Sequence, residues 1–284
     1  MKGESILMGE NTAVKKILRC PVCGEDMYAS EGNKSLFCYG QKRHCFDFSA
    51  DGYINLSRQG TGDSKQAVNA RKLFLSKDYY LPAAEKICET VRRYVGEDAV
   101  VLDAGCGEGY YTNKLAKNCA DVLGFDLSKF GVSAAAKAAK REGMTNAFYA
   151  TASVFELPVK DSSVDCVVNI FAPCAEQEYM RVLKPGGVLL VVGAGKDHLM
   201  GLKRVLYEST YENKERADLP VAAELCEKIN ESFEITVCGR EELDALFSMT
   251  PYYWRTSESD KEKLLAIDIL TTETEFEIYV YRKV

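Results

Sequence analysis

The sequence predicts an α/β chain: a mostly parallel, doubly wound sheet behind a small cysteine-rich module. Three observations carry this expectation. From Ala67 onward, apolar strand-like runs alternate with helical periodicity, the order that builds parallel sheets. The strand AVVLDAG, 99–105, runs straight into a glycine loop and then a helix. Four of the eleven cysteines, Cys20, Cys23, Cys38 and Cys45, crowd into one early stretch.

Taken in order, MKGESILMGENTAVKK lacks the apolar core and cleavage site of a signal peptide and reads as a mobile lead-in through residue 18. Residues 17–57 are short, cysteine-bearing and strand-poor. Residues 58–66, RQGTGDSKQ, are polar and glycine-rich, the composition of a linker or mobile loop. Helices are expected near 67–76 and 82–95, and strands near 99–105, 121–126, 146–150, 164–171 and 187–193. The runs ITVCG and FEIYVYRKV suggest a closing pair of strands at one sheet edge. The expected division is a module over 1–58 and a large α/β domain over 59–284.

Bulk properties bound the function. A chain of 284 residues accommodates one large and one small domain, and a hydrophobic fraction of 46% supports a sizeable core. No apolar stretch approaches the ~20 residues of a membrane helix, so a cytoplasmic protein with no membrane partner is expected. An odd, unevenly spread cysteine set argues against a disulfide framework. The net charge of −6 argues against a nucleic-acid binder, yet it is uneven. Residues 1–80 hold 12 Lys and Arg against 9 Asp and Glu, whereas the remainder holds 24 against 33. A modestly basic front on an acidic body can still meet phosphate locally.

The chemistry concentrates at Asp103-Ala104-Gly105-Cys106-Gly107-Glu108-Gly109. Gly105 and Gly107 allow a tight turn and close approach of a ligand to the backbone, at the end of the first strand and beside a helix N-terminus. About twenty residues on, Asp126 ends the next strand, where such folds place a carboxylate on ribose hydroxyls. A dinucleotide site prefers G-x-G-x-x-G, but here the sixth position is Tyr110. Asp103 and Glu108 would repel phosphates and suit a cationic ligand such as a sulfonium amino acid. That makes a nicotinamide enzyme the distant second reading. The loop resembles the first motif of class I methyltransferases, whose cofactor is S-adenosylmethionine. Arg181-Val182-Leu183-Lys184-Pro185-Gly186-Gly187 resembles their turn into the fifth strand.

In the front module, Cys20-x2-Cys23 is a hook whose two thiolates reach one tetrahedral ion. Cys38, with His44 or Cys45, completes four ligands. Thiolate and imidazole in a closed shell suit structural Zn²⁺. A redox pair is the weaker reading, because no βαβ pattern surrounds Cys20 and Cys23.

Phe46-Asp47-Phe48-Ser49-Ala50-Asp51-Gly52-Tyr53-Ile54-Asn55-Leu56, Gly62-Asp63-Ser64, Ala70–Leu75, Leu102–Thr112, Phe171-Ala172-Pro173-Cys174, His198-Leu199-Met200 and Met249-Thr250-Pro251-Tyr252-Tyr253-Trp254-Arg255 together resemble the large-subunit rRNA guanine-N1 methyltransferases of the A type. Relatives of that family include macrolide-resistance methyltransferases. The likeness runs from about residue 19 to the end of the chain. It implies methylation of N1 of one guanine in an rRNA hairpin loop, a Cys3His zinc module over 1–58 that recognises the RNA and presents it to the methyltransferase domain, and a homodimer with an RNA-sized cleft. Carried over by position, the zinc ligands are Cys20, Cys23, Cys38 and His44, and the cofactor contacts are Tyr80, Gly107, Glu108 and His198. The gap from Cys38 to His44 is longer than the family's usual one, which keeps Cys45 open as the fourth ligand. Asn169 stands where some relatives carry a basic residue, which leaves the modified nucleotide open.

Methyl transfer to an activated sulfonium carbon needs no protein nucleophile, so positioning should dominate catalysis. Guanine N1 must lose a proton, and no base is identifiable. The end of the fourth strand is expected to meet the target base, through Asn169 or the Ala172 carbonyl. Tyr252, Tyr253 and Trp254 read equally as core or as a stacking surface for a splayed base. Arg71 and Lys72 read as solvated helix residues, with phosphate contact as the sharper alternative. Two rivals remain: a small-molecule methyltransferase, which leaves the zinc module without a task, and a non-catalytic RNA-binding factor, which leaves the intact glycine loop and Asp126 without one.

Overall fold

Local sequence sets where the elements begin and end. A computed structural model of the chain describes residues 12–58, 60–119, 121–213, 220 and 222–284; most of the lead-in lies outside them. The front of the chain holds α1 (Thr12–Ile17), β1 (Met27–Ala29), β2 (Ser35–Cys38), β3 (Cys45–Asp47) and β4 (Ile54–Asn55). Next come α2 (Lys65–Leu75) and α3 (Leu81–Val95). Ser64 caps α2 by accepting from the Ala67 N–H at 3.2 Å, Pro82 opens α3, and Gly96 closes it at φ 79°.

The alternating core follows: β5 (Val100–Ala104), α4 (Tyr110–Ala116), β6 (Asp121–Asp126), α5 (Lys129–Arg141), β7 (Ala147–Thr151), β8 (Val164–Ile170), α6 (Glu176–Val182), β9 (Leu183–Ala194) and α7 (Met200–Leu206). The chain closes through β10 (Glu224–Cys238), α8 (Arg240–Ser248), α9 (Glu258–Leu265) and β11 (Ile269–Arg282).

Eight strands form one sheet in the order β10-β11-β9-β8-β5-β6-β7-β4. All neighbours from β9 to β4 are parallel, and β11 runs antiparallel to both β9 and β10. The doubly wound expectation is met. The chain winds outward from β5 in both directions, so the crevice over the carboxyl ends of β5, β6 and β8 is the topological switch point. The closing pair is longer than the two sequence runs suggested, at 15 and 14 residues. Along β10 the outer residues are polar, which hides its strand period from an apolar search.

The front module differs from the expectation of a strand-poor segment. β1, β2 and β3 make a small antiparallel sheet, built from strands of three or four residues, too short to show a period. β4 leaves that sheet and pairs in parallel with β7, through Ile54 opposite Ala150. Val14, Leu18, Met27 and Leu36 share one core with Leu102, Leu123 and Val191 of the large sheet. The opposite core gathers Ile87, Leu115, Leu202 and Leu246 over Val101, Val168 and Leu190. Among the described residues no helix is long and apolar enough to cross a membrane.

The segment 157–161, on which the front module rests, is tied down by Arg181. Its guanidinium donates to the carbonyls of Val159 (2.6 Å) and Leu157 (3.0 Å), to Asp161 (2.7 Å) and to both Glu178 oxygens (2.7 Å each). The module docks there through the Leu18–Val159 bridge and the Arg19 N–H on the Pro158 carbonyl. Arg181→Ala is expected to cost about 3 kcal/mol, because it strands half-buried acceptors and a carboxylate. Urea midpoints at constant slope measure this, and a change below about 1 kcal/mol would show the network to be dispensable.

Candidate active site

Strand β5 delivers Asp103 and Gly105 to the crevice, and β6 delivers Asp126 beside them. The glycine loop folds over the end of β6, where Gly105 N–H (2.8 Å) and Cys106 N–H (3.0 Å) both donate to the Phe125 carbonyl. Gly105 has φ 95°, and a Cβ there would lie 2.5 Å from the Ala172 Cβ. Gly107 has φ 53°, and a Cβ there would press on Arg71 Nη1 at 3.2 Å. Asp126 accepts from the N–H groups of Gly107 (3.1 Å) and Ser128 (2.7 Å), which fixes its carboxylate at the rim of the loop. Asp103 lies deeper and accepts from the Thr112 hydroxyl at 2.6 Å. Burial pushes Asp103 up to about 7.

Glu108 is buried, and its Oε2 has no hydrogen-bond partner. The nearest cation is Arg71, whose Nη1 is 3.7 Å away and whose Nη2 donates to Asp63 Oδ2 at 2.5 Å. Burial raises the carboxyls of both Glu108 and Asp126, against partial relief from Arg71. Three carboxylates therefore line the loop around one guanidinium, with a fourth (Asp63) across it. A ligand carrying phosphates would be repelled here, whereas one carrying an ammonium or sulfonium group would complete the charge balance. The nicotinamide reading loses its physical basis.

Arg71 corrects the sequence reading. It is not a solvated helix residue but folds across Gly107. The linker reading of 58–66 changes too. Leu56 N–H donates to the Thr151 carbonyl, Ser128 Oγ donates to the Asp63 carbonyl at 2.7 Å, and a Cβ on Gly62 would collide with the Ser128 backbone. The stretch thus lies on the rim of the crevice; position 59 is outside the described residues. Polar composition gave no sign of this, because the partners of Asp63 and Arg58 (Ser128, Arg71 and Glu156) lie outside the stretch.

Tyr80 and His198, distant in sequence, meet at the far wall. The Glu275 N–H donates to His198 Nδ1 at 3.1 Å, so Nε2 carries the ring proton and faces the Tyr80 hydroxyl at 3.3 Å. Burial drives His198 down to about 4, and the imidazole is neutral at pH 7. Phe171 packs its ring 5.9 Å from His198 and 5.5 Å from Phe276. By sequence, Phe171 is only part of the motif Phe171–Cys174, with no role of its own. It is 48% exposed and holds φ at 51°, and Leu199 nearby holds 60°, conformations costly for such residues and typical of functional loops.

Asn169 is placed differently from the expectation. It is wholly buried, and its amide donates to the Pro173 carbonyl and the Tyr179 hydroxyl, both at 3.0 Å. It braces the loop 171–174 from below rather than facing the crevice. Ala172 lies on that loop, against Gly105. Tyr252 is core, donating to Asn213 Oδ1 at 2.9 Å, whereas Trp254 is 82% exposed.

In the front module, one donor atom from each of Cys20, Cys23, Cys38 and His44 lies within 4.8 Å of the others. His44 Nδ1 is 3.5 Å from Cys20 Sγ and 3.4 Å from Cys38 Sγ, and Cys23 Sγ is 3.7 Å from Cys38 Sγ. Zn²⁺ with bonds of about 2.3 Å to sulfur and about 2.0 Å to nitrogen has tetrahedral edges near ~3.8 and ~3.5 Å. The donor set fits that ion in chemistry and in size. Cys45, next along the chain, points away, with its Sγ 3.7 Å from Asp47 Oδ1; adjacent strand residues face opposite sides.

The family described as "Methyltransferase domain" matches residues 101–187. A 23S rRNA (guanine(748)-N(1))-methyltransferase of Streptomyces fradiae is 36% identical over 206 residues, covering 68% of this chain and 70% of that protein. A Bacillus subtilis (strain 168) protein, named as a candidate 23S rRNA (guanine-N(1)-)-methyltransferase, is 31% identical over 88% of this chain and 90% of its own. One from Micromonospora griseorubida, similarly named, is 32% identical over 65% and 68%.

His198 makes a pH-dependent prediction. Its folded pKa lies below the ordinary 6.5, so the unfolded chain takes up the proton first as pH falls. Stability is complete above about 6.5, declines between 6.5 and 4, and loses about 3 kcal/mol in all. His198→Gln should flatten that part of the stability profile, measured by denaturant titration from pH 7.5 to 4. An unaltered profile would mean that the imidazole is protonated within the fold.

Proposed function

This chain belongs to the 23S rRNA (guanine-N1)-methyltransferase family, and from that premise we propose that it methylates N1 of a guanine in a hairpin loop of 23S rRNA, using S-adenosylmethionine. The observation that carries the cofactor is the buried Glu108 oxygen beside Gly107, which has no hydrogen bond and only the Arg71 guanidinium at 3.7 Å, at the switch point and next to Asp126. When bound, S-adenosylmethionine supplies a methyl carbon already activated by its sulfonium sulfur.

The chain's own residues bind and orient. Gly105 and Gly107 let the backbone approach the amino-acid end, Glu108 takes its ammonium group, and Asp126 takes the ribose hydroxyls. Asp103 stands behind the loop, holding the first turn of α4 through Thr112. Arg71, the cation of the crevice, takes the cofactor's carboxylate. Tyr80 and neutral His198 would contact the cofactor from the far wall. The target base enters over Phe171, with the Ala172 carbonyl as a contact and Asn169 as the positioning residue beneath. Positioning of this kind supplies most of the rate.

The remaining assignments rest on the sequence resemblance together with the donor geometry. Residues 1–58 form a structural zinc module with Cys20, Cys23, Cys38 and His44 as ligands, and 59–284 the methyltransferase domain. The protein works as a homodimer in the cytoplasm.

Three measurements test this reading. Labelled S-adenosylmethionine with 23S rRNA lacking its native methylations should yield one N1-methylguanine by mass spectrometry; cofactor binding without RNA methylation would favour a small-molecule substrate. Asp126→Ala and Arg71→Ala should each weaken cofactor binding at least about tenfold in calorimetry, the loss of a charge-assisted hydrogen bond, with the melting curve showing a folded protein. Elemental analysis should find one zinc per chain, lost on Cys20→Ser and retained on Cys45→Ser; iron, or no metal, would overturn the module's assignment.

A further inference from the structure

The outer face of the β1–β2–β3 sheet carries a group of side chains that neither the metal cluster nor the core uses. Strand alternation sends Met27, Leu36 and Cys38 inward and leaves Tyr28, Phe37 and Tyr39 outside. Tyr28 and Tyr39 have ring centroids 4.5 Å apart, and Tyr28 stacks on Phe37 at 5.8 Å with planes 27° apart. Tyr39 is 69% exposed. Arg43 closes the row, with its Cζ 4.8 Å over Phe37 and 5.6 Å over Tyr28.

Two features distinguish this face from ordinary surface. Arg43 holds φ at 33°, a conformation that disfavours a long side chain; the turn that imposes it, closed by the Arg43 N–H on the Gly40 carbonyl, aims the guanidinium across the rings. Three cations here are also without an ion pair: Lys34, Lys42 and Arg43 are exposed and make none among the described residues, beside the exposed Glu25 and Glu31 and with Asp26 engaged by Lys160 (2.7 Å).

We propose that Tyr28, Phe37, Tyr39 and Arg43 form a stacking platform on the front module that receives an unpaired base of the rRNA substrate, with Lys34 and Lys42 on the flanking phosphates. The chemistry matches single-stranded RNA: every base has a face that stacks on an aromatic ring or a guanidinium plane, and unpaired loop bases are the ones available to do so. The platform lies outside the crevice that holds the reacting groups. Its loss therefore affects how RNA is held and leaves the methyl-transfer step alone. The proposal rests on the rRNA methyltransferase reading.

The test uses the full chain and in-vitro-transcribed 23S rRNA. Tyr39→Ala should weaken RNA binding about 5- to 150-fold, the equivalent of about 1–3 kcal/mol. KM for RNA should rise to match, with kcat, cofactor affinity and zinc content unchanged. Tyr39→Trp should restore binding. Arg43→Gly gives the turn the residue its φ prefers; it should melt no lower than the parent and still bind RNA at least fivefold more weakly. RNA affinity within twofold of the parent for both Tyr39→Ala and Arg43→Gly would overturn the platform, and so would a loss that appears in kcat alone. If the parent methylates the RNA while these variants bind it normally, the platform fails and the enzyme reading stands. If the parent neither binds nor methylates it, both fall.

Discussion

Glu108 sits in the interior with one carboxylate oxygen making no hydrogen bond, Asp126 is pinned beside it by two backbone N–H groups, and Asp103 lies behind the same loop. A buried carboxylate oxygen without a hydrogen bond is costly, and here Glu108 and Asp63 share one guanidinium. The rest of the site follows from tolerating that imbalance until a cationic ligand relieves it. The loop cannot collapse onto its own charges, because Gly105 and Gly107 hold left-handed conformations and the Phe125 carbonyl anchors their start. Stability is given up at one point of a fold whose sheet, buried on both faces, readily sustains the loss.

The same constraint explains why the front module is stitched into the catalytic edge. From the cysteine–histidine cluster the chain passes through β4, which adds to the sheet beside β7, and then along the ends of β7 and β6 until Asp63 meets Arg71. Asp63, its carbonyl held by the Ser128 hydroxyl, is thereby set against the residue that offsets Glu108. A flexible tether would leave Arg71 without a fixed partner on its outer side.

Opposite the glycine loop, the crevice is aromatic rather than charged. Tyr80, Phe171, His198 and Phe276 interlock through edge-to-face and tilted contacts. Burial keeps the imidazole neutral, so this wall adds no charge that would compete with the acids across from it. Phe171 and Leu199 each hold a left-handed backbone conformation, strain that the braced loop above Asn169 and the packed β9–β11 pair sustain.

Local spacing was enough for the parallel sheet, the glycine loop with Asp126 at the next strand end, and the crowding of Cys20, Cys23, Cys38 and Cys45 around His44, with the fourth ligand left open between the last two. Each of these is written in local spacing: apolar period, backbone freedom and the reach of a side chain to a shared ion. Family likeness reached further, pointing to Tyr80 and His198, which are 118 residues apart and which no local pattern joins. The roles of Arg71, Asn169 and residues 56–58 and 60–64 came from packing alone. Arg71 looks like any helix cation until α2 is laid across Gly107, and Asn169 looks like a site residue until Tyr179 and Pro173 close over its amide. The polar stretch after β4 looks like a tether until its carbonyls meet Ser128. Composition cannot register such roles, because they depend on which groups are buried together, and that is settled by how the strands and helices pack.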